Sequence, residues 1–225
     1  MFSVLNMRST EDLTTVARIR DAAIEQFGQN GFSASVRSIA TAAGVSAALV
    51  IHHFGSKEKL REACDAYVIE TVRAAKSESM QNASPSAWFA QIAEIESFAP
   101  LTAYLMRALQ TGGDLAKSLW RSMIDNTEGY LEEGVRAGTL KPSRDPKARA
   151  RFLALTGGGA LLTYIQLHPN PTDFRQVLHD YAEDMLLPSL ELYTEGLMAD
   201  PAMYEAFLAQ REAGKPIVTA TEESM

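Results

Sequence analysis

From Thr10 to Asn30 the apolar residues Val16, Ile19, Ala23, Ile24 and Phe27 recur at helical spacing and lay one stripe along a single helix. Gly31 follows Asn30, where a helix needs a residue that tolerates positive φ. Two short helical patterns come next, at 36–43 and 47–53, with Ser35 and Ser46 placed to cap them. Gly55-Ser56 breaks the chain, and Ser56 caps a helix that runs from Lys57 into the seventies. Pro85, Pro100 and Pro146 each stand where a first helical turn begins; Ser84 and Asp145 are their neighbours on the cap side. Between them Gly112-Gly113 and Gly138 bound a long helix over 115–136. Pro169 and Pro171 stop the helix that starts at Pro146, and a further helix spans 173–195, where Pro188 is expected to introduce a kink. Asp200-Pro201 opens a last short helix, and the tail 214–225 carries no helical pattern and is expected to be disordered. No strand-like alternation interrupts this series, so the pattern predicts an all-α fold.

Composition changes the picture in three ways. An apolar fraction of 46% over 225 residues allows a full-sized core. The single cysteine, Cys64, excludes an internal disulfide and leaves a cysteine-based zinc site unsupported. It lies in a helical run beside Ala63 and Ala66, which fits a buried, inert thiol better than a redox sensor. No apolar run reaches membrane-spanning length, and the first six residues lack the basic start of a signal peptide, so a cytoplasmic protein is expected, with Met7 an alternative start.

The net charge of −7 argues against nucleic acid until its distribution is considered. Residues 1–63 hold seven Lys/Arg against six Asp/Glu, whereas the remainder holds fourteen against twenty-two. The acid therefore lies away from the segment 36–54, which has the residue types of a helix-turn-helix. Two helices that cross closely need a small residue at the crossing, which Ala40 supplies, and the turn needs Gly44. Ile39, Ala43, Val45 and Val50 form a shared apolar seam, leaving Ala47, Ala48, Ile51 and His52 as the outer face of the second helix. Such a helix enters the major groove of double-stranded DNA, where methyl-bearing side chains meet thymine methyl groups. Ser35, His53 and Lys57 are candidate phosphate ligands, and Arg37 is a candidate for a guanine edge. A plain helical bundle also accommodates two short helices around a small-residue turn.

Ile39-Ala40, Ala43-Gly44-Val45-Ser46, His53-Phe54 and Lys57-Glu58-Lys59-Leu60, with Gly31-Phe32 before them, together resemble the TetR family of bacterial repressors. The match is strong over 14–62, and 50–57 resembles an actinobacterial subset. The chain as a whole resembles mycobacterial regulators associated with drug-efflux transporters. The resemblance implies a DNA-binding domain at 10–56 and a helical effector-binding and dimerisation domain at 57–213. It further implies that Ser35, Arg37, Leu49, His53 and Lys57 face DNA, with Ser46, Ala47, Ala48, Ile51 and His52 on or beside the recognition surface. Two departures bear on base contacts: Ile51 stands where the family usually has tyrosine, and Ala48 where glycine or proline is frequent. The 33–34 loop is also one residue short, and Ala34 replaces a frequent threonine.

For the body, the resemblance implies a homodimer formed through the last two long helices, a palindromic operator and a small-molecule effector, with no cofactor, metal or membrane partner. Gly157-Gly158-Gly159 inside a helical run costs roughly 1 kcal/mol per glycine against alanine, which points to close approach of a partner helix or a ligand, or else to a local break. Trp88, Phe89, Tyr104, Met106, Trp120, Met123 and Tyr130 are candidate effector contacts, although their spacing equally suits a core. Glu94, Glu96, Asp114 and Asp125 are the acids available to a cationic effector. No catalytic constellation, phosphate-binding loop or dinucleotide fingerprint is present, so an enzyme is not expected; a dimeric helical scaffold without DNA binding is the other alternative.

Overall fold

The computed structural model describes residues 10–81 and 84–214. Among these it holds ten α-helices: α1 (Thr10–Asn30), α2 (Val36–Ala42), α3 (Ala47–Phe54), α4 (Lys57–Gln81), α5 (Pro85–Ala93), α6 (Ala99–Thr111), α7 (Gly113–Ala137), α8 (Pro146–Leu167), α9 (Phe174–Thr194) and α10 (Ala202–Glu212), with a 3-10 turn at Ile95–Phe98. Every helix expected from the apolar periodicity is present. The caps lie where the sequence put them: Ser84 accepts from the Ala87 amide and Asp145 from the Ala148 amide. α9 continues through Pro188. The tail expected to be disordered lies, from residue 215 on, outside the described residues.

Chain contacts divide the molecule into two units, one ending at Ala182 and one beginning at Glu183. The first contains the core. Ile19, Ala23 and Phe27 of α1 pack with Ile39, Val50, Leu60, Cys64 and Val68, and the same cluster continues into Tyr104, Leu105, Leu119, Ile165 and Val177. Thus the helices that carry the helix-turn-helix share one apolar interior with the body. Burial pushes the Cys64 thiol up to about 12, which makes it an inert core residue, as its neighbours suggested.

Two close approaches hold the first unit together. A Cβ on Gly28 would lie 3.1 Å from Ala103 Cβ and from the Tyr104 amide nitrogen, so glycine lets α1 cross α6 backbone to backbone. A Cβ on Gly158 would lie 2.7 Å from the Trp120 ring, so here glycine seats an indole of α7 against α8. α8 runs unbroken across the glycine triplet, which removes the local break from the three readings. A Cβ on Gly157 or Gly159 would meet nothing within 4 Å among the described residues. Gly157→Ala should therefore raise stability by up to about 1 kcal/mol, whereas Gly158→Ala should lower it by roughly 1–3 kcal/mol through overpacking against Trp120. Paired thermal melts of the two variants check the contrast; a Gly158→Ala protein that melts at or above the Gly157→Ala protein contradicts it.

The α8–α9 corner is tied by His168. Its Nδ1 accepts from the Asn170 amide at 3.1 Å, so Nε2 carries the proton and donates to Asp180 at 3.0 Å. That hydrogen bond holds the Asp180 carboxyl below the usual range, with Gln176 contributing.

Candidate nucleic-acid interface

The local sequence shapes α2 and α3 in full. The Ser35 hydroxyl oxygen accepts from the Ser38 amide at 3.0 Å, and the Ser46 hydroxyl oxygen accepts from the Leu49 amide at 3.1 Å. Between the helices Gly44 sits at φ +65, a conformation that a side chain would strain. The chain then closes back through Val45 N–H to Ala40 C=O at 2.9 Å. Ala40 and Ala43 are buried at the crossing, with Ile39 and Val50 filling the seam beneath it. A two-turn helix has little stability of its own; here the caps and the seam supply it.

The outer face of α3 consists of Ala47, Ala48, Ile51 and His52, all exposed, Ile51 to 41%. Leu49 and His53 are half-buried at its flanks, and the His52 and His53 rings stand edge to face at 5.4 Å. Arg37 is exposed on α2. Lys57 opens α4, with its ammonium 5.9 Å from the Phe27 ring centroid of α1. Ser56 caps the same turn through the Lys59 amide at 3.2 Å. The ten residues singled out in the sequence therefore fall on one contiguous stretch of α2, α3 and the start of α4. Ser35 and Ser46 both accept a cap amide, and the Ser35 hydroxyl also donates to the Ser38 hydroxyl at 3.3 Å.

The family model described as "Bacterial regulatory proteins, tetR family" matches residues 19–64, and the model "Tetracyclin repressor-like, C-terminal domain" matches residues 96–199. The HTH-type transcriptional regulatory protein RaaS of Mycobacterium tuberculosis is 66% identical over 209 residues, spanning 93% of this chain and 98% of that protein. The chain belongs to the TetR family. It is a TetR-family DNA-binding transcriptional regulator. The HTH-type dual regulator CecR of Shigella flexneri is 41% identical over 51 residues, 23% of each chain. The structure of SmeT, the repressor of the Stenotrophomonas maltophilia multidrug efflux pump SmeDEF, shares the fold, with a TM-score of 0.52 and 22% identity over 77% of this chain and 89% of that one.

The seven candidate effector residues of this TetR-family body do not converge on one site. Tyr104 and Met106 belong to the core. Trp120 and Met123 pack around Gly158, and the Tyr130 hydroxyl lies 3.0 Å from that of Thr127. Phe89 is 72% exposed, while Trp88 is half-buried with its indole N–H enclosed and unpaired. A cleft of about 360 Å³ between α1, α6 and the α8–α9 corner is lined by none of the seven.

Sequence reasoning missed the part Tyr104 plays. Its hydroxyl donates to Asp65 Oδ1 at 2.7 Å, and its ring meets Phe32 edge-on at 5.5 Å and Phe27 at 6.2 Å. Arg61 lies 3.5 Å over the other aromatic, Phe32. A residue of α6 thereby anchors the body to α1, to the loop before α2, and to α4. The available signal was Gly28, a glycine inside a helix, which marks a close crossing.

Proposed function

We propose that this TetR-family regulator is a cytoplasmic, non-enzymatic homodimeric repressor that places one α3 per protomer in successive major grooves of a palindromic operator and leaves it when a small amphiphilic or apolar ligand binds the body. What carries the reading is the outward presentation of Ala47, Ala48, Ile51 and His52 on a capped α3 whose buried face is locked to α1 and α4. An apolar recognition face reads shape and thymine methyl groups rather than a hydrogen-bond pattern. Arg37 adds one guanidinium for a guanine edge, and Ser35, His53 and Lys57 hold phosphates. SmeT represses an efflux pump, and transporter genes are the target class proposed here.

The α8 surface supports the dimer. Phe152, Leu155, Thr156, Gly159 and Thr163 share one helix face; Phe152 is 62% and Leu155 43% exposed. Apolar side chains in one stripe on a helix mark a protein-protein contact rather than a solvated surface. Gly159, open in the single chain, lies in that stripe and permits a second helix to approach.

A gel shift with the DNA upstream of the chain's own gene, repeated in rising salt, tests the proposal. Tight, sequence-dependent and salt-sensitive binding is expected. Arg37→Ala should narrow the gap between operator and random DNA, costing about 1–3 kcal/mol on the operator alone, while Lys57→Ala should weaken both alike. Thymine-to-uracil replacement in the operator should reduce affinity at the positions α3 covers. Folded dimers that bind no DNA, or an Arg37→Ala loss equal on operator and random DNA, would contradict the assignment.

A further inference from the structure

Among the described residues of the C-terminal unit, 183–214, none is buried, so the unit has no core of its own. Large apolar side chains are nevertheless frequent in it. Leu187, Leu190 and Tyr193 are exposed on the end of α9, and Met203, Tyr204 and Phe207 are exposed on one face of α10. α10 has 11 residues, too few to hold a helix in water by propensity alone, so it needs a surface to pack on. Nine large apolar residues of the unit are exposed. With about half of roughly 200 Å² open at each, they present on the order of 900 Å², and one partner gives about 800 Å² to a stable interface. Residues 215–225 offer only Ile217, Val218 and Met225 toward covering it.

Charge narrows the choice of partner. Residues 183–214 hold seven Asp/Glu against one Arg, which disfavours DNA and an anionic membrane. On α9, Glu191 and Glu195 stand one turn apart between the exposed Leu187 and Leu192. The complementary surface is on the same chain. Residues 141–151 hold five Lys/Arg against one Asp. Within them Lys147 and Arg151 stand one turn apart on α8 and border the exposed Phe152 and Leu155. Each like-charge pair at i,i+4 is unfavourable on its own helix. Set against each other, the two pairs have equal spacing and opposite sign, with apolar side chains beside both. A chain that carries both halves of such a contact, each exposed, satisfies them in a second copy of itself, and a two-fold axis makes the contact twice.

We propose that the C-terminal unit of each protomer, the end of α9 together with α10, clasps the start of α8 in a second copy of this chain. Glu191 and Glu195 face the partner's Lys147 and the partner's Arg151, and α10 lays its apolar face beside them. This rests on the dimeric reading above and adds an element to it, since α10 lies beyond residues 96–199, which the family's C-terminal model covers. Apolar stripes alone allow a slip of register; the paired charges fix it.

Two charge-reversed full-length chains test it: Lys147→Glu with Arg151→Glu, and Glu191→Lys with Glu195→Lys. All four positions are exposed, so both chains should fold. Each variant alone meets like charge at both copies of the contact, and its dimer should dissociate at least about tenfold more readily in sedimentation. An equimolar mixture should recover the wild-type dimer as a heterodimer, because both copies of the contact again join opposite charges. That recovery also shows both chains to be folded. A contact made within one chain would leave both variants impaired after mixing; that result, or wild-type association of either variant alone, overturns the proposal. Tyr204→Ser with Phe207→Ser should weaken the dimer by a similar factor, and an unchanged dimer removes α10 from the clasp. A wild type that sediments as a monomer sinks the dimeric reading and the clasp together, whereas a dimer indifferent to every reversal sinks the clasp alone.

Discussion

Tyr104→Ala is expected to destabilise the chain by about 3–5 kcal/mol, the range for emptying an aromatic side chain from a core. Tyr104 is 1% exposed and touches both Phe27 and Phe32, so the space it leaves borders the DNA-binding helices and the body at once. Neither side can collapse into it, because the Gly28–Ala103 crossing already holds α1 and α6 at contact. Tyr104→Phe separates packing from hydrogen bonding. The ring stays, and Asp65 loses its donor, at a cost of about 1 kcal/mol, because the carboxylate is only partly enclosed. Burial raises the Asp65 carboxyl, and the Tyr104 hydrogen bond partly offsets that rise. Removing the hydroxyl should raise it further. A carboxyl raised on folding is a penalty fully present above its folded value and relieved as pH falls through that value toward the unfolded one. The stability gap between Tyr104→Phe and wild type should therefore narrow as the solution is acidified through the carboxylate range. Denaturant melts across that range check it; a gap independent of pH would leave Asp65 without the assigned part.

Phe152→Glu with Leu155→Glu is the second large effect. The pair introduces two charges into the apolar stripe of α8 that the dimer would bury. Buried like charges on symmetry-related helices repel and are desolvated, so the variant should sediment as a folded monomer. Joining two half-site readers contributes on the order of a hundredfold or more in avidity, so operator binding should fall by at least that factor while half-site binding is retained. Sedimentation and gel shift on the same preparations decide it: a dimer that persists, or a monomer that still holds the full operator as tightly, would remove α8 from the interface.

Much of this was legible before any coordinates. The helix-turn-helix is a local object: Ser35, Ser46, Gly44 and the seam Ile39–Ala43–Val45–Val50 act over a few residues, and local propensity and packing agree there. For the same reason the outer face of α3 could be named from periodicity. The glycine triplet was only half legible. Its cost to the helix is visible in the sequence, but only the placement of Trp120 shows that Gly158 alone is required by the chain's own packing. The candidate effector residues were the least legible. Aromatic and methionine residues at helical spacing fit a core and a pocket equally well, and Tyr104 and Met106 turned out to be core.

By itself, then, the sequence determined the helix series, its caps and its breaks, and the outward face of α3 with its Ile51 and Ala48. These depend on neighbours within one or two turns. The tertiary structure decided the rest: that the helix-turn-helix shares its interior with the body, and that Tyr104 reaches Asp65 across 39 positions of chain. Such long-range pairings arise from how amphipathic faces choose one another in the folded chain, and periodicity along one helix carries no record of that choice.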